Sequence, residues 1–414
     1  ILYKRHMKTN FSYINLQTEY NMNSANIIDC FRYNMKFWNC LGVSPYIDNS
    51  YYNAYSKIFT TLLIFLYDFL ATVNLFFIPR VMDVIIEEMI FYFTEISVTF
   101  KVFTYYIMRR KIVKVLQTLE SDVFKPETDE ALEIMNKAKK FIVSYWKIVA
   151  AVSVISNLTH VLSPLVMHLL SSTKLELPIC GYFFLSESFK EEYIYTLYFY
   201  QAVGMHFHLW FNVNTDSFIL GLLILTIAQL DILDSKIRRV TDKLDGINEA
   251  SNFTSDSEVI FRLNKCFVHY REISKFCNLI EEIFSVSLFI QFSMASCIIC
   301  VCLFRFTLAA LWQYYIFLGT YMFIMLIQIL VPCWFGTRVI EKSRLLSQAV
   351  YDCNWTSQSP RFKSSLRIFV VRANRPFTII GGKLFLLSLA TFTSIMNTAY
   401  SFFTLLRHMQ TRNG

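Results

Sequence analysis

Seven long runs of apolar residues alternate with polar, charged segments along the chain. A helix needs about 20 mostly apolar residues to cross the hydrocarbon core of a bilayer. Each run is long enough, so the pattern predicts an all-α membrane protein with seven transmembrane helices. The predicted spans are residues 54–78, 84–108, 141–166, 193–225, 276–304, 311–335 and 384–406.

The predicted spans divide the chain into three segments. Residues 1–53 form an N-terminal region, residues 54–360 carry the first six spans with their extensions, and residues 361–414 hold a basic helix and the seventh span. Residues 1–40 lack the continuous apolar core of a signal peptide. The first span is therefore expected to direct its own insertion.

Basic residues gather on alternate sides of the predicted spans. Arg109-Arg110-Lys111 follows the second span, and further clusters precede the first, follow the fourth and separate the sixth from the seventh. Because Lys and Arg mark cytoplasmic loops, the N-terminus is expected in the cytoplasm and the C-terminus outside. This orientation is opposite to that of a G-protein-coupled receptor.

Apolar residues with heptad spacing continue beyond the fourth span, at Leu230, Leu233, Ile237, Val240, Leu244 and Ile247. Two further stripes lie within residues 263–284 and 366–377. Stripes of this kind must be buried, so they predict a cytoplasmic helical anchor. Its predicted seam residues are Leu233, Ile237, Val240 and Leu244. The spacing leaves open whether their partners lie in other subunits or in the same chain.

The seventh predicted span carries one polar stripe on an otherwise apolar helix. Its members are Ser388, Thr391, Ser394, Thr398, Ser401, Thr404 and His408. A hydroxyl stripe suits a helix that lines a water-filled pore. Serine and threonine also bond back to their own helix or mediate helix packing, and the spacing does not separate these alternatives.

Aromatic residues concentrate in the outer halves of the second, fourth and sixth spans, as at 91–93, 195–200 and 312–321. Such groups could enclose a small volatile ligand. An interfacial aromatic belt or simple lipid contact is the alternative.

Composition and motifs narrow the function class. Hydrophobic residues make up 55% of the chain and charged residues 17%, whereas about 25% charged residues is usual for soluble domains. The sequence has no HExxH, GxSxG, P-loop or GxGxxG motif, and its ten cysteines form no metal-type pattern. We therefore expect no enzyme, no metal and no cofactor. The net charge of +8 leaves no solvated basic face, so no nucleic acid is expected.

Charged residues inside the predicted spans are unusual, because a charge in hydrocarbon is costly unless it is paired or hydrated. They are Asp68, Glu95, Lys101, Lys147 and Asp216. Each could line a wet cavity, and each could equally form a structural ion pair. His206 and His208 share the fourth span without a metal-type spacing, and the histidines do not cluster with carboxylates in the sequence.

The last third of the chain carries a set of polar, aromatic and glycine residues. They are Gln328, Pro332, Gly336, Ser347, Tyr351, Trp355, Arg372, Ala373, Arg375-Pro376, Gly381-Gly382 and the block Ala-Tyr-Ser-Phe-Phe-Thr-Leu-Leu at 399–406. In these residues the chain resembles the insect odorant receptor family. Related gustatory receptors carry Thr-Tyr…Gln-Phe here, and the shared co-receptor keeps the Tyr and Gln. Ala399 and Leu406-Arg407 therefore favour an odour-tuned subunit over both.

The resemblance implies a ligand-gated, non-selective cation channel that forms a heterotetramer with the odorant receptor co-receptor in the plasma membrane of olfactory dendrites. It implies a pore lined by the last helix and an odorant pocket among helices two, three, four and six. The predicted pore residues are Ser401, Thr404, Arg407 and His408, with Thr404 and Phe403 competing for the narrowest ring. The predicted contacts to a volatile odorant are Phe91, Tyr92, Ser156, Tyr198, Ala202, Met205, Tyr315 and Leu318.

Three other functions remain as alternatives. A gustatory-type channel would respond to tastants rather than volatiles. A metabotropic seven-helix receptor would have the opposite orientation. A transporter would show internal repeats and helices broken by glycine or proline, whereas only Pro332 interrupts the core of a predicted span here.

Overall fold

The computed structural model describes residues 26–47, 49–171, 174–242, 252–308 and 312–413. These residues form helices and one small β-hairpin. The helices are α1 (Arg32–Cys40), α2 (Ser50–Leu75), α3 (Met82–Leu119), α4 (Asp129–Ser171), α5 (Glu187–Arg238), α6 (Asn252–Arg305), α7 (Trp312–Asp352), α8 (Pro360–Ala373) and α9 (Leu389–Asn413), and the strands are β1 (Ile380–Gly381) and β2 (Phe385–Leu386). Short 3₁₀ turns lie at Ile27–Phe31 and Asp122–Phe124.

Each predicted span overlaps a helix of the described chain. Five of these helices, α2, α4, α5, α6 and α7, are long and apolar enough to cross a membrane. The other two carry more polar residues, because α3 contains Glu87, Glu88, Glu95 and Lys101 and α9 carries the hydroxyl stripe. The structure therefore supports a helical protein with at least five spans, and the count of seven stays a prediction.

Apolar side chains cover the outer faces of the bundle. On α4, Ile148, Ile155 and Leu169 are 63%, 65% and 71% exposed, and Phe69 on α2 and Phe323 on α7 are exposed as well. Such surfaces would be unfavourable in water but match the acyl chains of lipid. The exposed faces of α2, α4 and α7 therefore fit a membrane environment.

The seventh predicted span begins later than the pattern indicated. Residues 380–386 form an antiparallel hairpin, with Ile380 opposite Leu386, instead of the first turn of a helix. Gly382 and Lys383 both adopt φ of +59° at its tip, and the Gly382 N–H donates to the carbonyl of Ser285 at 2.9 Å. The chain therefore turns at residues 382–383 and runs back as β2 over Phe385–Leu386, so α9 starts at Leu389 rather than at residue 384.

One helical turn in α2 is wider than the rest. Residues Thr61–Phe65 form a π-turn, in which some backbone carbonyls lack their usual partner within the helix. Side chains of α5 take up two of them. The Tyr200 hydroxyl donates to the carbonyl of Leu62 at 2.9 Å, and His208 Nε2 lies 3.0 Å from the carbonyl of Leu63. The π-turn thus fixes α2 against α5.

The heptad stripe of α5 is buried inside its own chain. We call the end of the bundle that carries this stripe and α8 the basic end, and the opposite end, with residues 174–186, the loop end. Leu233 and Ile237 have no exposed surface and Val240 is 2% exposed. They share one core with α6, α7 and α8, in which Phe267 stacks on Phe369 at 5.1 Å. Leu244 and Ile247 lie outside the described residues.

These contacts favour the intrachain alternative for the anchor. The core that contains the seam runs from Ile27 to Ala399 and includes residues of all three predicted segments. Ion pairs border it, such as Lys342 with Asp231 at 2.6 Å and Arg239 with Glu130 at 2.8 Å. The division into three segments stays a prediction.

Ile237→Asp should destabilise the single chain by more than about 4 kcal/mol, because it removes a buried apolar side chain and places a charge in a closed core. Thermal unfolding of the purified chain in detergent measures the effect. The matched control is Val371→Asp on α8, since Val371 is 68% exposed. Equal stability of wild type and Ile237→Asp would contradict the buried seam.

Candidate functional site

A polar network lies in the middle of the bundle and joins α3, α5 and α7. Lys101 Nζ donates to Asp216 Oδ1 and to Asn212 Oδ1, both at 2.5 Å, and Lys101 is fully buried. Gln328 Nε2 donates to Asp216 Oδ2 at 2.6 Å and to Asn212 Oδ1 at 3.1 Å. Two of the predicted intramembrane charges are thus paired with each other. Lys147 lies apart, 5.8 Å from the ring centre of Tyr33.

A cavity of about 300 Å³ adjoins this network. Its polar wall contains Asn212, Asp216 and Gln328, and its apolar wall comes largely from α4 and α7. Several apolar lining residues are also exposed on the outside of the bundle, so the cavity opens sideways between these helices. They are Ile148, Val152, Phe323 and Ile327. A volume of this size suits a small organic molecule.

An aromatic cluster lies nearer the loop end, between α3, α4 and α7. The ring of His160 stacks on Phe317 at 5.3 Å and lies 4.9 Å from Phe91. Tyr321 completes the cluster at 6.1 Å from both phenylalanines, and its hydroxyl shares a hydrogen bond of 2.5 Å with Thr94. We call Phe91, His160, Phe317 and Tyr321 the aromatic cluster.

A narrow void of about 10 Å³ links these two features. It is lined by Thr94, which bonds to the aromatic cluster, and by Asn212 and Gln328, which also line the larger cavity. The void is too small for an organic ligand. It nevertheless shows that the two features lie next to each other, since Thr94 and Gln328 both line it.

Residues 174–186 cover the loop end and are held by side chains of the bundle. Gln201 Oε1 accepts from the backbone N–H of Ile179 at 3.0 Å, and Gln201 Nε2 donates to the carbonyl of Cys180 at 2.8 Å. Glu88 accepts from the N–H of Gly181 at 2.8 Å. Burial raises the pKa of the Cys180 thiol, so this cysteine stays protonated and unreactive.

The eight predicted odorant contacts do not converge on one cavity. Phe91 belongs to the aromatic cluster and packs in a core group that also contains Met205. Leu318 lies in a separate core group of α3, α6 and α7. The other predicted contacts face different surroundings. The Tyr92 hydroxyl contacts that of Thr72, and the Tyr198 and Tyr315 hydroxyls donate to the backbone carbonyls of Val161 and Leu308. Ser156 is exposed and Ala202 is half-buried.

His160, Phe317 and Tyr321 are aromatic-cluster members that sequence reasoning missed. Phe317 and Tyr321 lie four residues apart and therefore share a face of α7, which is a signal the sequence offers. His160 lies on α4 and has no local pattern that places it there. Its Nε2 is 2.7 Å from the carbonyl of Pro178, which ties the cluster to the loop end.

Asp68, Glu95 and His208 also come together, although the histidines were expected to be isolated from carboxylates. The expectation was wrong because the three side chains come from three different helices. Each is at least nine-tenths buried, and their ligand atoms lie within 4.8 Å of one another. No spacing within one segment could have revealed this cluster.

The predicted pore residues all lie on an exposed part of α9. Ser401, Thr404, Arg407 and His408 are exposed in the single chain. The Ser401 and Thr404 hydroxyls donate to backbone carbonyls of their own helix at 2.8 Å. Their hydrogen-bonding groups are thus satisfied whether water or another helix faces them.

Comparison with known proteins assigns the chain to a family. A family model described as "7tm Odorant receptor" matches residues 81–400, which is more than half of the chain. Odorant receptor 2a of Drosophila melanogaster is 28% identical over 211 residues, covering 50% of this chain and 53% of that protein. Odorant receptor Or2 of Anopheles gambiae is 25% identical over 39% of this chain and 42% of its own length. The chain thus spans about half the length of these two relatives.

Other comparisons extend over nearly the whole chain. Odorant receptor 67a of Drosophila melanogaster is 22% identical over 399 residues, covering 92% of this chain and 96% of that protein. The solved structure of the insect olfactory receptor OR5 from Machilis hrabei in complex with eugenol has a TM-score of 0.76 at 15% identity, over 93% of this chain and all of that chain. A second structure of the same receptor gives a TM-score of 0.74 at 16% identity, over 92% of this chain and 99% of that chain.

The sequence and structural matches agree with each other. The solved receptor shares the fold of this chain, and the family model covers the aromatic cluster and the first 12 residues of α9, as far as residue 400. The resemblance seen in the last third of the sequence is confirmed. The chain is a multi-pass protein of the plasma membrane, and it belongs to the insect odorant receptor family, which comprises receptors rather than enzymes.

Proposed function

We propose that the chain is an odour-tuned subunit of a ligand-gated, non-selective cation channel. The observation that carries this proposal is the exposed polar face of α9, in a chain whose family is that of odorant receptors. Among the described residues of the single chain, this face is exposed, as are the neighbouring side chains of Phe402 and Leu405. A ring of subunits would enclose such faces around a water-filled path.

The proposed topology has seven spans with the N-terminus in the cytoplasm. In support, the basic residues between predicted spans six and seven lie in or near α8, at the same end of the bundle as the seam of α5. Lys and Arg concentrate on the cytoplasmic side of membrane proteins. The charged α3 would span because Lys101 is paired there with Asp216.

The partner in this proposal is the odorant receptor co-receptor, in a heterotetramer. Arg407 supports a mixed assembly, because it lies one turn beyond Thr404 on the exposed face of α9. Four positive charges around the mouth of a cation pore would oppose conduction, whereas one or two are tolerated when other subunits lack them.

The proposed odorant site is the aromatic cluster at the loop end. Three rings and the imidazole of His160 offer dispersion and stacking contacts, and the Tyr321 and Thr94 hydroxyls offer a polar group. Such a combination recognises a small, mostly apolar molecule. The lateral cavity between α4 and α7 is the alternative position, since it adjoins the cluster through the narrow void.

Phe91→Leu should raise the half-maximal concentration of an activating aromatic odorant about 3–10-fold, because one ring–ring contact contributes about 0.5–1.5 kcal/mol. Maximal current should change little. The measurement is a dose–response series in cells that express the chain together with the co-receptor, with a panel of aromatic and aliphatic volatiles.

The matched control for this series is Phe199→Leu, since Phe199 on α5 is 70% exposed on the outside of the bundle. A third variant, Val152→Phe, fills the lateral cavity. If Val152→Phe shifts the dose–response while Phe91→Leu does not, the odorant occupies the lateral cavity and the proposed position is wrong.

Thr404→Cys should react with a water-soluble thiol reagent in open channels, and the reaction should block current, because the proposal places residue 404 at the narrowest ring of the pore. The background should first carry Cys40→Ser and Cys297→Ser, since these two native cysteines are exposed. Whole-cell current before and after the reagent gives the result, with and without odorant.

Two outcomes would contradict the assignment of Thr404 to the narrowest ring of the pore. Block at Phe403→Cys but not at Thr404→Cys would move the narrowest ring by one residue. Absence of block at both positions would show that α9 of this subunit does not line the pore.

Arg407→Gln should increase cation conductance at low ionic strength and have less effect at high salt, because screening acts over about 10 Å.

A further inference from the structure

Three ionisable side chains from three helices meet in the buried centre of the bundle. Asp68 on α2 is 6% exposed, Glu95 on α3 is 4% exposed and His208 on α5 is 2% exposed. One ligand atom of each lies within 4.8 Å of those of the other two. The odorant and pore assignments above do not use these residues, so the inference that follows is independent of them.

The imidazole of His208 has a defined tautomer. Its Nε2 lies 3.0 Å from the backbone carbonyl oxygen of Leu63 in the π-turn. A carbonyl oxygen can only accept a hydrogen bond. Nε2 therefore carries a proton and donates it, and in the neutral ring Nδ1 presents a lone pair. A backbone carbonyl that holds the second ring nitrogen in this way is the usual arrangement around histidines that bind metals.

One carboxylate of the cluster has no hydrogen-bond partner: within the described chain, this holds for both carboxylate oxygens of Asp68. His208 Nδ1 and Glu95 Oε2 instead contact each other directly. With the ring neutral, both of these atoms present lone pairs, so they either share a proton or move apart to ligate one cation.

Charge balance is met by a divalent cation. Two ionised carboxylates and a neutral imidazole carry a charge of −2, which is costly in a buried site. A dication brings the sum to zero, whereas without a metal two protons are needed, one on His208 and one on a carboxylate. One nitrogen and two carboxylate oxygens form a ligand set that suits zinc and similar transition metals, while calcium and magnesium prefer a shell made of oxygen.

We propose that Asp68, Glu95 and His208 bind one divalent transition-metal ion of the zinc type. The ion takes one oxygen from each carboxylate and Nδ1 from the imidazole. It links α2 to α3 and α5 at the level of the π-turn. The ring of Tyr67, itself buried, packs beside that of His208 at 4.9 Å.

Metal analysis of the full-length chain, purified in detergent micelles, tests this site. After dialysis against a weak chelator, the wild type should retain one equivalent of Zn²⁺, and Zn²⁺ should raise its unfolding temperature. His208→Gln, Asp68→Asn and Glu95→Gln should each lower Zn²⁺ affinity by at least about 100-fold, since loss of an outer partner alone costs about 10–100-fold.

The matched control is His206→Gln, which makes the same change two residues earlier on α5. His206 is half-buried and lies against Asn157 and Trp210, away from the cluster. This variant should keep the Zn²⁺ affinity of the wild type. His408 is exposed and His168 is half-buried, so both could bind Zn²⁺ weakly. This background is subtracted by comparison with the triple variant of the three ligands.

A ligand exchange keeps the test valid if a charge-removing variant fails to fold. His208→Cys retains a metal ligand, and Co²⁺ bound there should show a thiolate-to-metal absorption band that the wild type lacks. The proposal is overturned if the wild type retains no Zn²⁺, which would leave a cluster that shares protons. It is equally overturned if the ligand variants bind as tightly as the wild type, or if Co²⁺-loaded His208→Cys shows no such band.

Discussion

A buried charge has to be balanced within the bundle, and the pair of Lys101 and Asp216 meets this constraint at its centre. Lys101 has no exposed surface, and its ammonium reaches Asp216 at 2.5 Å. Breaking such a pair by removal of one partner typically costs about 3–5 kcal/mol. The amide of Gln328 also donates to Asp216, so α3, α5 and α7 have to keep their relative positions for the charges to remain satisfied.

This constraint explains why the helices differ so much in their exposure. Helix α5 carries Asp216 and is almost wholly buried through residues 217–225, although these residues are as apolar as a lipid-facing helix. Helix α4 has a similar apolar composition but exposes most of its span. Helix α5 carries Asp216 and occupies the interior, whereas α3 keeps its partner Lys101 buried and still exposes Phe103 and Ile107 on its outer face.

The apolar pattern predicted the helices and their approximate limits well, because burial and membrane insertion both act on hydrophobicity. The heptad spacing of Leu233, Ile237 and Val240 likewise predicted a buried seam, and packing within one chain satisfies it. The hairpin before α9 was missed, although Gly381-Gly382 is a local turn signal, because its two strands have only two residues each and are too short to give a periodic pattern.

The sites were less accessible to sequence reasoning than the helices. Aromatic residues were counted by region, but only the three-dimensional structure brings His160 of α4 against Phe91 of α3 and Phe317 of α7. The same holds for the cluster around His208, whose partners precede it by more than 100 residues. Which charges face each other across helices is set by helix rotation, and periodicity in one segment does not fix the rotation of its neighbours.

The π-turn of α2 controls the rotation of that helix. Ser56, Thr60, Ile64 and Asp68 are all buried and follow one another at intervals of four residues. In a regular α-helix each such interval overshoots a full turn by about 40°, so three intervals would turn Asp68 about 120° away from Ser56. The π-turn has more residues per turn and therefore a smaller angle per residue, so it reduces this angular offset between Ser56 and Asp68. A homologue that lacks one residue in this stretch would still be long enough to cross the bilayer, but it could not present both halves of its polar face to the same neighbours.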